Sequence, residues 1–155
     1  YRFGLHDGRW TTWHANGRKR REGFYHLGNQ SGIWREWYDN GRPSALYRLE
    51  RGHYDGAYRA WYRNGRLSEQ KTLRFGQPHG SFSEWYESGT RKLEATYVDG
   101  QVHGIVTRFY RSGEPYRLEH YDHGAACGRW TTWSRRGHAT RREYRLRCRA
   151  RNLSN

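Results

Sequence analysis

The sequence is short of the residues that usually build a protein interior. Leu, Ile, Val and Phe supply only twenty of 155 positions. With a net charge of +14, that poverty would ordinarily mark a disordered chain. No apolar run approaches the roughly 20 residues needed to cross a bilayer as a helix, which excludes a transmembrane helix, and no signal-peptide pattern is visible. Phosphate loop, nucleophile elbow and H-E-x-x-H are all missing, so the common hydrolytic and nucleotide chemistries find no motif. Methionine is absent altogether, and there are two cysteines. Against these shortages stand eight Trp and thirteen Tyr. Disordered chains are poor in such rings, so burial has to be aromatic and spread in thin layers.

A period of 24 residues runs through the chain. Glycines stand at Gly4, Gly28, Gly52, Gly76, Gly100 and Gly124, at Gly8, Gly32, Gly56, Gly80, Gly104 and Gly128, and at Gly17, Gly41, Gly65, Gly89, Gly113 and Gly137. Eighteen of the nineteen glycines are used this way. One aromatic column reads Trp10, Trp34, Tyr58, Phe82, Val106 and Trp130, and a second reads Trp13, Trp37, Trp61, Trp85, Phe109 and Trp133. Each unit carries an aromatic-rich run, a turn dipeptide such as Asn16-Gly17, Asn40-Gly41 or Asn64-Gly65 suited to φ > 0 at both centres, and a return run. A G-x-x-x-G connector such as Gly76-Gln-Pro-His-Gly80 then leads into the next unit. Runs of about five to eight residues at about 12-residue spacing, with no helical period, predict an all-β antiparallel meander of about a dozen strands. Alternation puts Trp34 and Trp37 on opposite faces of that sheet. A single layer cannot bury both faces, so one of the two ladders is expected to stay available for binding.

The unit G-x3-G-x-W-x2-W-Y-x-N-G, clearest at Gly32-Ile-Trp-Arg-Glu-Trp-Tyr-Asp-Asn-Gly41 and Gly80-Ser-Phe-Ser-Glu-Trp-Tyr-Glu-Ser-Gly89, resembles the MORN-repeat family. It is similar to the bacterial variant found in YwqK-type antitoxins. The resemblance spans about residues 1–147 and implies an elongated single-layer sheet of six hairpin units, starting at Gly4, Gly28, Gly52, Gly76, Gly100 and Gly124. It implies no catalytic residues and no cofactor, and the chain is therefore expected to be non-enzymatic. Departures fall at Val106 and at Ser134-Arg135-Arg136, where the pattern calls for an aromatic and for Tyr-x-Asn. Tyr1-Arg2-Phe3-Gly4 matches the tail of a unit, so the sequence is expected to be a fragment of a longer array.

The functional expectation is a scaffold that binds by its surface. Trp13, Trp37, Trp61, Trp85 and Trp133, with Arg35, Arg59 and Arg108 nearby, are the residue types that anchor protein interfaces. The resemblance adds a toxin as the partner, and the basic charge of the array suits an acidic protein. The alternative is an anion-binding stripe for nucleic acid or acidic lipid. Twenty-six of the 29 basic residues are Arg, and Arg141, Arg142, Arg145, Arg147, Arg149 and Arg151 gather near one end. Arg145 to Arg151 alternate with Leu146, Cys148 and Ala150 and would share one face. The bland reading of that strand is an edge charged against aggregation. Cys127 and Cys148 flank the last hairpin and are expected to lie close, either as a disulfide or as thiols kept reduced in a cytoplasmic protein. A metal site combining Cys127 with His103, His120 or His123 does not reproduce a tetrahedral ligand spacing, so no metal is expected. His14, Glu36 and Asp39 are scattered over repeated surfaces and suggest no catalytic set.

Overall fold

A computed structural model of the chain describes residues 4–144 and Cys148. Fourteen strands form one antiparallel sheet, and no helix occurs among the described residues. The strands are β1 (Gly8–Trp13), β2 (Lys19–His26), β3 (Asn29–Trp37), β4 (Pro43–Glu50), β5 (His53–Trp61), β6 (Leu67–Arg74) and β7 (Gln77–Trp85). They continue as β8 (Arg91–Val98), β9 (Gln101–Val102), β10 (Gly104–Phe109), β11 (Pro115–Asp122), β12 (Ala125–Ala126), β13 (Arg129–Trp133) and β14 (Ala139–Glu143). Sequence neighbours pair along the whole path, with the two-residue β9 and β12 returning on β8 and β11. The result is the expected open meander. It contains only short-range pairings, because each hairpin brings its partner back within about two dozen residues.

The turns at the two edges differ from expectation. Asn40-Gly41 does not hold φ > 0 at both centres. Gly41 N–H donates to Tyr38 O, Tyr38 N–H donates to Arg42 O, and Gly41 alone is left-handed, with φ 85°. That is a type I turn closed by a left-handed glycine. The two-residue turn with both φ positive sits at the opposite edge instead: Leu27 (φ 45°) and Gly28 (φ 81°) join His26 to Asn29. Arg51, Phe75, Asp99 and His123 occupy the same strained position in the later units. The connector is thus tighter than the sequence suggested, because the chain reverses just before Gly28 and its equivalents rather than across the G-x-x-x-G stretch.

One face is closed by the first aromatic column. Trp34 is fully buried, with Tyr47, Leu49, Leu73, Ala95 and Val106 buried along the same side. Trp34 lies against Trp10 and Tyr25, at 5.7 and 5.5 Å between ring centroids. Its indole covers Gly23 so closely that a Cβ there would sit 2.2 Å from the ring. Val106 fills its aromatic column as a buried residue, so the departure costs no burial. Polar groups on this face meet each other. Arg21 stacks on Trp34 at 4.3 Å and donates to Tyr47 Oη at 2.8 Å, and Tyr47 Oη donates to Glu36 at 2.6 Å.

Successive units are latched by side chains reaching one repeat forward. Tyr38, Tyr62, Tyr86 and Tyr110 each donate a phenol hydrogen to the backbone carbonyl of Trp61, Trp85, Phe109 and Trp133. Asn16, Asn40 and Asn64 donate to Asp39, Arg63 and Glu87 carbonyls of the next turn.

Candidate functional site: the open face

Odd-numbered positions of β3 and β5 look away from the Trp34 column. Arg35, Leu46 and Arg59 are paired across β3, β4 and β5, which puts them side by side. Arg35 and Arg59 are exposed and Leu46 is half-buried. Trp37 and Trp61 follow at the ends of β3 and β5, two residues past these arginines, and so take the same face. Each is half-buried, as are Trp85 and Trp133, while Trp13 on the edge strand is 59% exposed. Successive rings are separated by an intervening strand. The gap between Trp37 and Trp61 is a shallow cleft of about 170 Å³, floored by Pro43, Ala45 and Leu46. A larger cavity, about 550 Å³, lies beside Trp133 with Tyr110, Pro115 and Arg135 on its walls. Phe24, Ile33 and Ile105 add exposed apolar side chains to this face.

Two acidic groups of the open face are paired with neighbouring cations. Glu22 accepts from Lys19 at 2.8 Å and from Arg9 at 2.7 Å, and these bonds, Lys19 first, draw its carboxyl down to about 2. Glu94 is paired with Arg91. Lys19 and Arg91 lie 5.8 Å from the Trp37 and Trp85 rings respectively. The face therefore offers cations and indoles outward, while Glu22 and Glu94 are satisfied internally.

Arg108 does not join this set. It is one position out of phase with Arg35 and Arg59, sits on the closed face, and donates through Nε to Glu119 at 3.2 Å. Glu119 is 2% exposed and is also held by Arg117 at 2.8 Å. Two arginines around one buried carboxylate make Arg108 a structural counter-ion. Proximity to Phe109 in the sequence suggested the grouping, and strand parity separates them.

At the far end the repeat slips by one residue. In the first five hairpins a bulge follows the turn, so Trp37 faces Pro43 but Glu36 faces Ala45. β13 against β14 runs in unbroken register from Trp133–Ala139 to Arg129–Glu143. The 24-residue period would set Arg145 opposite Gly128, where Tyr97 and Tyr121 stand opposite Gly80 and Gly104. The slip brings Tyr144 there instead: its N–H bonds to Gly128 O, and its ring lies 4.6 Å from Trp130. Burying a tyrosine rather than a guanidinium is the physical reason to lose the bulge.

Of the arginine stripe, Arg141 and Arg142 belong to β14 and are exposed, while Arg145, Arg147, Arg149 and Arg151 lie outside the described residues. The two that are described are adjacent on one strand and point to opposite faces, and the slip decides which takes which. Arg142 faces Trp130 on the closed side and Arg141 faces Thr131 on the open side. Arg142, Arg117, Thr132 and Thr140 surround a cleft of about 310 Å³ over Trp130 and Tyr144. Cys127 and Cys148 are joined in a disulfide with Cα atoms 5.1 Å apart, and Cys127 is fully buried. Cys127 therefore offers no thiolate to a metal. His14 donates to the Trp37 carbonyl, as the latching tyrosines do in later units. Glu36 belongs to the Arg21–Tyr47 network, and Asp39 pairs with Arg63 at 2.5 Å.

No helix of the described residues is long and apolar enough to cross a membrane. No curated protein matches the chain. Two consecutive stretches, residues 78–99 and 102–123, match the MORN repeat variant family; the chain is similar to that family over β7 to β11, and its architecture is that of a repeat scaffold.

Proposed function

We propose that this scaffold docks a protein partner through its open face, with Trp13, Trp37, Trp61, Trp85 and Trp133 as anchors and Arg35 and Arg59 between them. One observation carries the reading. Indoles recur at 24-residue intervals, with Phe109 in place of one, on a face that no other part of the described chain covers, and the Trp37–Trp61 pair frames a cleft sized for one side chain. Trp and Arg dominate interface energetics when desolvated together. An acidic protein suits the net charge of +14, and the resemblance to antitoxins makes a toxin the first class to try. Replacing Trp37 and Trp61 together by Ala is expected to weaken the partner's affinity about 1,000-fold, since each anchor is worth roughly 2 kcal/mol. Unchanged affinity in a well-folded double variant would reject the proposal. The partner is to be captured from nuclease-treated extract at moderate salt and identified by mass spectrometry.

A second reading is favoured by the cleft over Trp130 and Tyr144, where Arg117 and Arg142 stand beside two threonine hydroxyls. There the chain would hold an anionic group of nucleic acid or lipid, with the remaining arginines of the stripe adding long-range attraction. Its mark is an affinity that falls steeply as salt rises. A salt-independent interaction removes it.

A further inference from the structure

We infer that the chain binds one zinc ion at the edge between β10 and β11, through His103, Asp122 and His123. One ring nitrogen of each histidine and a carboxylate oxygen of Asp122 all lie within 4.8 Å of one another. His103 stands between β9 and β10, and Asp122 closes β11. His123 is the first of the two left-handed residues of the turn, with φ 46°. Asp122 Oδ1 is 3.5 Å from His103 Nδ1 and 2.6 Å from His123 Nδ1, and the imidazole centroids are 4.6 Å apart.

The rest of the array shows that the trio exceeds what the turn requires. At three of the five hairpin reversals of this kind the turn N–H has a side-chain acceptor. Leu27 N–H bonds to Asp7 at 3.2 Å, Asp99 N–H to His79 at 3.3 Å, and His123 N–H to His103 at 3.4 Å. One acceptor suffices for that purpose. At the first junction a second titratable group, His26, lies 3.5 Å from Asp7, and at the fourth Asp99 lies 3.2 Å from His79. At the equivalent of Asp122 the fourth junction has Val98. The fifth junction adds the third ligand, and does so with two imidazoles and one carboxylate.

That set suits zinc, which takes nitrogen at about 2.0–2.1 Å and carboxylate oxygen at about 2.0–2.2 Å. Tetrahedral ligands at those lengths are roughly 3.4 Å apart. The largest separation must therefore shrink by a little over 1 Å, within reach of a rotation of the exposed His123 ring. His103 and Asp122 are more enclosed, with side chains 20% and 11% exposed, so two ligands are held and the third closes from solvent. The fourth position is left for water or for a donor from a partner. Soft thiolate is absent from the set, which disfavours copper(I), and two imidazoles disfavour calcium and magnesium.

The test is a calorimetric titration of the untagged full chain with zinc chloride, paired with thermal melts. Binding of one equivalent at micromolar affinity, with a melting point raised by several degrees in saturating zinc, is expected. His123→Asn keeps a residue that tolerates positive φ while removing a ligand, and should weaken binding by about tenfold or more. His79→Gln, at the equivalent acceptor one unit earlier, should bind zinc as the parent does. A wild-type chain that takes up no zinc overturns the inference, as does equal affinity in the parent and His123→Asn. Should His123→Asn fail to fold, cobalt(II) added to the parent decides: a visible ligand-field band displaced by zinc supports the site, and its absence counts against it.

Discussion

At the scale of single residues, the glycine with least room for a side chain among those described is Gly23, which lies under an indole. Gly23 is the one glycine outside the 24-residue pattern, and its column is otherwise filled by Tyr47, Lys71, Ala95, Glu119 and Glu143. That exception was visible in the sequence, but its meaning depended on which way the Trp34 ring lies, a matter of packing rather than period. Gly23→Ala would force the ring off its seat and is expected to cost about 1–3 kcal/mol, measured by denaturant unfolding. Tyr47 gives a pH signature. Burial, then the adjacent Glu36, raises its phenol above the ordinary value of 10.0. The folded chain therefore keeps Tyr47 neutral where the unfolded chain ionises. Stability is full below pH 10 and declines as the pH rises beyond it. Tyr47→Phe should lose the Glu36 and Arg21 bonds yet flatten that alkaline decline in melts run from pH 8 to pH 11.

At the scale of elements, hairpins and faces could be read from glycine spacing and side-chain parity, whereas turn geometry and bulges could not. Asn-Gly is compatible with several turns, and the bulge that follows it chooses among them. The same bulge, absent in the last hairpin, decides on which side Arg141 and Arg142 fall, so no argument from period alone could have placed them. Tyr62 reaches forward to the Trp85 carbonyl at 2.7 Å. Tyr62→Phe should remove about 1 kcal/mol and raise amide exchange across β5 to β7 more than elsewhere. Phe75 holds φ 49° while 76% exposed, a conformation that costs a bulky residue roughly 1–2 kcal/mol. Phe75→Asn should therefore stabilise the array, by up to about 1 kcal/mol in chemical unfolding.

At the scale of the molecule, each hairpin touches only its neighbours, so stability should be close to a sum of unit and interface contributions. Excising residues 52–75 removes one full period and joins Arg51 to Gly76, recreating the left-handed pair. The shortened chain should fold with the same circular dichroism per residue and a lower melting point, and it would lose the Trp37–Trp61 cleft. A chain unfolded by this excision would mean long-range cooperation that the pairing pattern lacks. The Cys127–Cys148 bond ties a residue beyond β14 back to the segment before β13. Its loss in Cys148→Ala should cost about 3 kcal/mol and loosen the last hairpin first.

The missing bulge beside β14 also sets a limit on extension. A designer who fuses another 24-residue unit onto Arg142, copying the frame of β2 to β11, would carry the one-residue slip forward. Every column in the added segment would be turned over, with its buried tryptophans looking into water and its binding indoles folded inward. Continuing this array by engineering requires one extra residue between Ala139 and Thr140 to restore the phase, in the place where the other five hairpins carry theirs.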